Sequence, residues 1–481
     1  MTASVRHRSA PQARGAGGLR PWRPSSRHRR LAWIGDAVGT VAIASVVVVV
    51  LLWLAGGNTD EFGHVGGTMT ALGRLTGLMS SDFLLLQVLL MARIPWVEQV
   101  WGQGELARKH RWLGFTSFWL MVVHIAMITV GYAQASRVNL LAELWDLLTR
   151  YAGMLLAGAG TVALVMVVVT SIRRARRKLR YESWHLIHLY SYLGVGLALP
   201  HQLWTGADFL SSPVATVYWW TLWAAAIGAV IIFRLIHPLV SSLRHRLVVT
   251  SVRRESPGVF SVTMTGNRLD KMGLQPGQFC QWRFLHGAGW TRAQPFSVSN
   301  VPTDHSLRIT VQQVGDGSDR LVGARPGTRV LFEGPYGTMT ADRRTRRDVL
   351  LIGAGVGITP LRGLAEMINS EATLPGQPPP SVVVLQRSRS AADALFVGEF
   401  NALARRGVRV IPLIGRRAPA SEWFPGPHVV SATNALQRLV PDVADREVYL
   451  CGPRPWAHQV KRTLRELHIP ASAIHTEDFA G

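Results

Sequence analysis

The chain has two hydrophobic textures. Up to about residue 243, six long apolar runs recur, at 31–54, 70–93, 112–132, 151–172, 184–199 and 214–236. Each is about 20 residues long, the length that crosses the hydrocarbon of a bilayer as a helix. A six-helix transmembrane bundle over 31–243 is therefore predicted. Beyond residue 244 the runs shorten, alternate or become β-branched, at 247–252, 259–265, 279–284 and 307–311, with turns such as Ser256-Pro257-Gly258 and Gln275-Pro276-Gly277. That pattern predicts an antiparallel β-barrel over 244–342. From 343 to 481, short strands at 349–352, 381–385, 408–413 and 447–449 alternate with helical stretches. These predict a doubly wound parallel α/β domain.

Charge refines the picture. The 481 residues carry a formal charge of +23, which raises the question of nucleic acid, but its distribution argues against it. Residues 1–30 hold eight Arg and no acid among Pro, Gly and Ser, the composition of a disordered tail. Further basic clusters flank apolar runs, as at Arg108, Lys109 and Arg111, at Arg173-Arg174-Ala175-Arg176-Arg177-Lys178 and at Arg244-His245-Arg246, whereas the alternate loops carry Asp60, Glu61, Glu143, Asp146 and Asp208. The positive-inside rule then places both termini and both C-terminal domains in the cytoplasm. No small-residue cleavage site follows the first run, which reads as a retained span and not a signal peptide. Two cysteines, Cys280 and Cys451, support neither a disulfide framework nor a thiolate metal site. No nucleic-acid-reading module is visible, and the bilayer is the expected surroundings of the first half.

Spans three and five run outward together under this topology, and each carries two histidines. His110 and His124 are fourteen residues apart, His188 and His201 thirteen, or roughly 21 and 20 Å along a helix. Two imidazoles on each of two parallel helices at matched depth suit two stacked haems, each held by one His per helix. His185, three residues before His188, competes as the inner ligand. Thirteen residues would turn His201 away from the face of His188, but Pro200 disturbs ideal rotation there. With Tyr181-Glu182 and Trp184 just ahead of the second pair, these positions resemble the ferric reductase/NADPH oxidase transmembrane family. The resemblance implies that His110 and His188 hold an inner b haem, and His124 and His201 an outer one.

The segment Gln294-Pro295-Phe296-Ser297-Val298-Ser299-Asn300 resembles the flavin motif of the ferredoxin–NADP reductase family. The resemblance implies FAD, with Phe296 packed on the isoalloxazine, the Ser297 hydroxyl at flavin N5, and Gln294, Pro295, Val298 and Ser299 completing the contact. Gln294 replaces the usual His or Arg of that motif. Gly315-Asp316-Gly317-Ser318 resembles the following loop, through which Gly317 and Ser318 would meet the pyrophosphate. The stretch Phe332-Glu333-Gly334-Pro335-Tyr336-Gly337 fits a turn closing this domain.

After the 349–352 strand comes Gly353-Ala354-Gly355-Val356-Gly357-Ile358-Thr359-Pro360. A strand, a glycine turn and a helix start make an anion cradle from unpaired N–H groups. Gly353, Gly355 and Gly357 are thus assigned to a nicotinamide dinucleotide; the Thr359-Pro360 ending departs from the ordinary dinucleotide fingerprint and resembles the ferredoxin–NADP reductase family's version, which implies the same ligand for these two residues. Arg387 and Arg389 follow the second strand where an adenosine ribose is held, and a 2′-phosphate calls for Arg, so NADPH is expected over NADH. The resemblance also implies that Cys451, with Gly452 and Pro453, lies at the nicotinamide and assists hydride transfer, and that Phe479 covers the flavin.

The combined reading is a transmembrane oxidoreductase taking electrons from cytoplasmic NADPH or NADH through FAD and two haem b groups to an extracytoplasmic acceptor. In the oxidase branch of the family a further His follows the outer ligand of span three by one turn, and with an Arg helps to hold oxygen. Ile128 stands there, and Leu54–Asn58 offers no Arg. A ferric chelate or similar oxidant is therefore expected over O2, with superoxide formation the alternative. A haem subunit serving a separate redox partner would not need residues 343–481. No protein partner is indicated.

Overall fold

In the computed structural model, residues 25–172, 176, 181–287, 289–371, 379–417, 423–426 and 431–477 are described. The basic tail up to residue 24, most of the 173–180 cluster, and Phe479 lie outside them.

Helices come first: α1 (Ser26–Ala55), α2 (Val65–Met91), α3 (Pro95–Ser136), α4 (Leu140–Arg150), α5 (Met154–Ser171), α6 (Tyr181–Trp204), α7 (Pro213–Ile231) and α8 (His237–His245). Among the described residues, five helical stretches are long and apolar enough to cross a membrane: α1, α2, α3, α5 and Pro213–His245. The last joins α7 to α8 through a π-helical turn, Ile232–Ile236. The expected fifth span is α6, which continues through Pro200 to Trp204. Local rules set the helix starts. Ser25, Asn139 and Ser212 cap α1, α4 and α7 by accepting from the N–H three residues on, offsetting amides that have no helical partner. The α3 helix is broken at Gly102, where φ is 71°. Side chains facing outward from these helices are largely apolar, including Trp33, Leu141, Leu155 and Val217, which suits a lipid surround and not water. Within, Asp82 is fully buried, and its Oδ1 accepts from Ser45 Oγ at 2.6 Å and from Tyr218 Oη at 2.8 Å.

Next come six antiparallel strands, β1 (Leu247–Ser256), β2 (Val259–Thr265), β3 (Phe279–Phe284), β4 (Gln294–Ser297), β5 (Ser306–Gln312) and β6 (Arg329–Tyr336), in the order β4-β3-β6-β1-β2-β5. A bridge between Val298 and Ile309 links the two edges. Trp282, Phe332, Val298 and Leu307 fill the interior. Helix α9 (Asp316–Val322) lies between β5 and β6. The stretch read as a closing turn is instead a central strand. The pairing jumps from Phe279↔Tyr336 to Gln281↔Glu333, so Gly334 and Pro335 bulge out opposite Cys280. A bulge is one place where a strand tolerates Pro, so the Gly-Pro pair signalled an irregularity within β6 and not its end.

The last part holds a parallel sheet, β11-β10-β7-β8-β9, from β7 (Val349–Ala354), β8 (Val382–Ser388), β9 (Arg409–Ile414), β10 (Glu447–Cys451) and β11 (Ile474–Glu477). Helices α10 (Ile358–Asn369), α11 (Val397–Arg405), α12 (Ala432–Leu439) and α13 (Arg454–Glu466) alternate with the strands. Every residue of β7, β8 and β10 is buried, as a sheet covered on both faces requires. Between the sheets, the turn Ala341–Arg343 is tied to the helical part. Asp342 pairs with Arg27 at 3.1 Å and accepts from Gln275 at 2.9 Å, while Arg343 donates to the carbonyls of Gln99 and Val100.

Candidate functional site

The four intramembrane histidines fall into two groups. His110 and His188 have ring centres 6.0 Å apart, and His201 lies within electrostatic range of His124. His110 Nδ1 lies 3.3 Å from the Gln87 carbonyl, and His124 Nδ1 2.7 Å from that of Gly73. A carbonyl only accepts, so each Nδ1 carries a proton, and in the neutral ring the lone pair is left on Nε2. His188 Nδ1 has the Ser171 hydroxyl at 3.4 Å. His201 Nδ1 is buried without a hydrogen-bond partner. The Gly73 contact is possible because Gly77 has no side chain: a Cβ there would stand 2.6 Å from His124 Nδ1. Small residues on α2 thus admit an imidazole from α3 up to the backbone.

The helices meet the antiparallel sheet at Arg93, between α2 and α3. Its Nη1 pairs with Glu333 at 3.1 Å, and its guanidinium lies 4.8 Å over the Tyr336 ring. Tyr336 Oη donates to Glu333 at 2.9 Å, and burial pushes its phenol pKa up. The register carries the connection onward, Tyr336 to Phe279 and Phe279 to Ser297.

Gln294–Ser297 form edge strand β4. The Phe296 carbonyl accepts from Trp282 Nε1 at 2.8 Å. Ser297 is buried and its Oγ has no hydrogen-bond partner. The Gln294 amide lies over Gly317, where a Cβ would stand 2.7 Å from Nε2, so the two sequence motifs converge. Ser299 behaves differently. Its Oγ accepts from Arg308 at 2.9 Å and Thr310 at 3.0 Å, which commits the hydroxyl to the sheet interior. Ser318 Oγ likewise donates to Gly315 O at 2.7 Å. Cys280, behind Phe296, is a buried thiol whose pKa burial pushes up. Beside Gln294 opens a solvent-open cleft lined by Trp282, Phe284, Trp290, Arg292 and Gly317. Trp290 and Arg292 were not singled out from sequence; an aromatic and a cation just ahead of the flavin-like motif was the available signal.

The glycine turn sits at the C-terminal edge of β7. A Cβ on Gly357 would overlap the Cys451 carbonyl, and Gly353 and Cys451 are register partners. Thr359 is buried and its Oγ1 has no hydrogen-bond partner. Cys451 is fully buried, with Sγ 3.9 Å from the Glu477 carbonyl. The two sheets abut here: a Cβ on Gly337 would be 3.2 Å from Glu477 Oε2 and 3.3 Å from Phe279 Cδ1. Pro360 is buried in the first turn of α10, and Gly452 lies against the Trp456 ring.

The two arginines of β8 part company. Arg387 is buried, donating to the carbonyls of Trp423 at 3.1 Å and Leu413 at 3.2 Å, and burial holds its guanidinium below the usual pKa. Arg389 is exposed one residue past the strand. Of the two, Arg389 is the side chain open to a ligand.

Residues 76–199 match the family described as ferric reductase like transmembrane component. The chain is also similar to oxidoreductase components. It is 28% identical over 214 residues to the ferredoxin reductase component of 3-ketosteroid-9-alpha-monooxygenase from Mycolicibacterium smegmatis, covering 44% of this chain and 57% of that one. It is 30% identical over 201 residues to a probable dihydroorotate dehydrogenase B (NAD(+)) electron transfer subunit from Methanothermobacter thermautotrophicus, covering 41% and 65%. The chain spans little more than half the length of the ferredoxin reductase component it matches. Among solved structures, an Amycolatopsis cytochrome P450 reductase is similar at 23% identity and a TM-score of 0.40, over 49% of this chain and 70% of that one.

The contrast between the β8 arginines gives a direct expectation. Arg387→Ala should lower the thermal midpoint by the equivalent of about 1–3 kcal/mol, because it strands buried carbonyls, whereas Arg389→Ala should leave it unchanged. Thermal melts of the two purified variants decide it, and equal midpoints would show that Arg387 has no structural role.

Proposed function

We propose that this chain, a ferric reductase-like transmembrane component joined to a ferredoxin-reductase-type flavin and nicotinamide module, carries electrons from cytoplasmic NADPH through FAD and two haem b groups to an extracytoplasmic acceptor such as a ferric chelate. NADH is the alternative donor. The observation that carries this reading is the state imposed on the histidines. With Nδ1–H committed to carbonyls of α2, the neutral rings of His110 and His124 would leave Nε2 available, the form that ligates a metal. The His110 and His188 rings, on two different helices, have centres 6.0 Å apart, close enough for one group to be held by both. His110 with His188, and His124 with His201, would hold the inner and outer haem. The residues fit the soluble cofactors as well, since the buried orphans Ser297 Oγ and Thr359 Oγ1 fall in the two segments that resemble flavin and nicotinamide sites.

When bound, the flavin would convert a two-electron donor into single electrons and the haems would pass them across the bilayer. The chain's own residues bind and orient. Ser297 offers a hydroxyl toward the flavin and Phe296 a ring. Gln294 and Gly317 converge on one side of the flavin segment. The start of α10, with Gly355, Gly357 and Thr359, turns amides toward a pyrophosphate. Cys451 closes the nicotinamide side, and Arg389 reaches toward a 2′-phosphate. Arg93, paired with Glu333, holds β6 against the helix ends nearest the inner histidines. One turn beyond His124, Ile128 packs against α2 beside Gly73. It has no proton to give to bound oxygen, which favours a larger oxidant.

Reduced-minus-oxidised absorption spectra of the purified protein, with NADPH as reductant, test the core of this reading. Substituting His110 or His188 should remove the inner haem signal, and His124 or His201 the outer. Gly77→Leu should act like loss of His124. Two haems per chain surviving replacement of all four histidines would sink the assignment.

Arg389→Ala should raise KM for NADPH about tenfold or more, from the loss of a charge-assisted phosphate contact, and leave KM for NADH unchanged. Equal effects on both cofactors would remove Arg389 from the site.

For the acceptor, steady-state NADPH consumption in air should rise on addition of a ferric chelate and saturate with it. Turnover that saturates with oxygen and ignores the chelate would point to superoxide formation.

A further inference from the structure

A four-residue ionic cluster joins the two sheets beside the flavin-like motif. Glu399, in the first turn of α11, receives Arg308 of β5 in bidentate fashion, Nη1 to Oε1 at 2.7 Å and Nη2 to Oε2 at 2.9 Å. On its other side Arg362 of α10 brings Nε to 2.6 Å from Oε2 and pairs with Glu366. Both arginines also reach the Ser299 carbonyl, Arg308 at 3.3 Å and Arg362 at 3.4 Å. The Arg308 guanidinium lies 5.0 Å over the Phe396 ring. All three central side chains are mostly shielded, at 17%, 28% and 11% exposure for Arg308, Glu399 and Arg362. Burial alone would push the Glu399 carboxyl pKa up, but the hydrogen bond and charge of Arg308, with Arg362 behind them, hold it below the usual range.

The placement gives this cluster its meaning. Ser299 is two residues from Ser297, and Arg362 is three residues from Thr359. The carboxylate therefore pins the backbone of the flavin segment to the helix that follows the phosphate turn. We propose that Glu399 is a positioning residue for hydride transfer, fixing the separation of the flavin and nicotinamide sites without touching either cofactor. This rests on the functional reading above. The step served is the passage of a hydride from reduced nicotinamide to oxidised FAD. The nicotinamide C–H bond breaks and a flavin N–H bond forms. The nicotinamide leaves as its oxidised cation and the flavin holds two electrons and one proton as its reduced anion. Reacting atoms must approach to about 3–3.5 Å, and a misplacement of about 1 Å costs roughly a hundredfold.

The test uses the full-length protein loaded with FAD, mixed anaerobically with NADPH, and follows bleaching of the flavin band. Glu399→Gln should slow bleaching roughly 10- to 100-fold and weaken the nicotinamide–flavin charge-transfer absorbance. FAD content, and haem reduction when dithionite replaces NADPH, should match the parent. Glu399→Asp should recover part of the rate. Unchanged bleaching in Glu399→Gln overturns the proposal. So does slowing matched by an equal loss of FAD or by an equal slowing with dithionite, since both mark general damage. A parent protein that binds FAD but is not bleached by NADPH or NADH overturns the functional reading, and the proposal with it.

Discussion

A backbone carbonyl can only accept a hydrogen bond, and much of this molecule's chemistry follows from two carbonyls on α2. The carbonyls of Gly73 and Gln87 face the imidazoles of His124 and His110, and so decide which ring nitrogen is left with a lone pair. That constraint reaches back into sequence. It requires small residues on α2 where α3 crosses, hence Gly77 beneath His124. It requires α3 to run unbroken between the two histidines, and the one interruption, at Gly102, comes before His110. Without the Nδ1 contacts, the His110 and His124 rings would be free to rotate and to exchange tautomers.

The second half is held to this arrangement by few but directed contacts. Arg93 meets Glu333 and Tyr336, and Ser242 of α8 exchanges hydrogen bonds with the Phe332 backbone, donating at 3.2 Å and accepting at 3.1 Å. Both land on β6, the strand beside β3 and hence one strand removed from β4. An arginine stacked on a ring defines direction as well as distance, and the Arg93 guanidinium lies 4.8 Å over the Tyr336 ring. An exposed pair in the same place would hold little. Here the Arg93 and Glu333 side chains are 17% and 11% exposed, so screening by solvent is limited.

Much of this was legible in sequence because it is local. Apolar run length gave the helices, and strand–glycine–helix order gave the turn at Gly353–Gly357. The flavin-like segment stood out by its own residues. What sequence left hidden depends on distant partners. The Gly334-Pro335 pair read as a turn because nothing local shows that Phe279 and Gln281 will flank it as a bulge. Arg387 read as a ligand because the carbonyls of Leu413 and Trp423 that consume it lie 26 and 36 residues away. Arg308 and Glu399, 91 residues apart, carry no motif at all. His201 looked misdirected on an ideal helix, and α6 passes through Pro200 just before it.

The tied turn at Ala341–Arg343 has a mechanical consequence. Asp342 and Arg343 are fastened to the start of α1 and to the backbone ahead of Gly102, so the chain leaves the antiparallel sheet at an anchored point. A rigid body swinging about an anchored point moves least beside it and most at its far rim. Such a swing is opposed here, because the contacts of Glu399 with Arg308 and Arg362 tie the parallel sheet to β5 at a second place. Two separate ties, at the 341–343 turn and at Glu399, leave a rigid body only rotation about the line that joins them, so along that line the spacing of the two sheets is held.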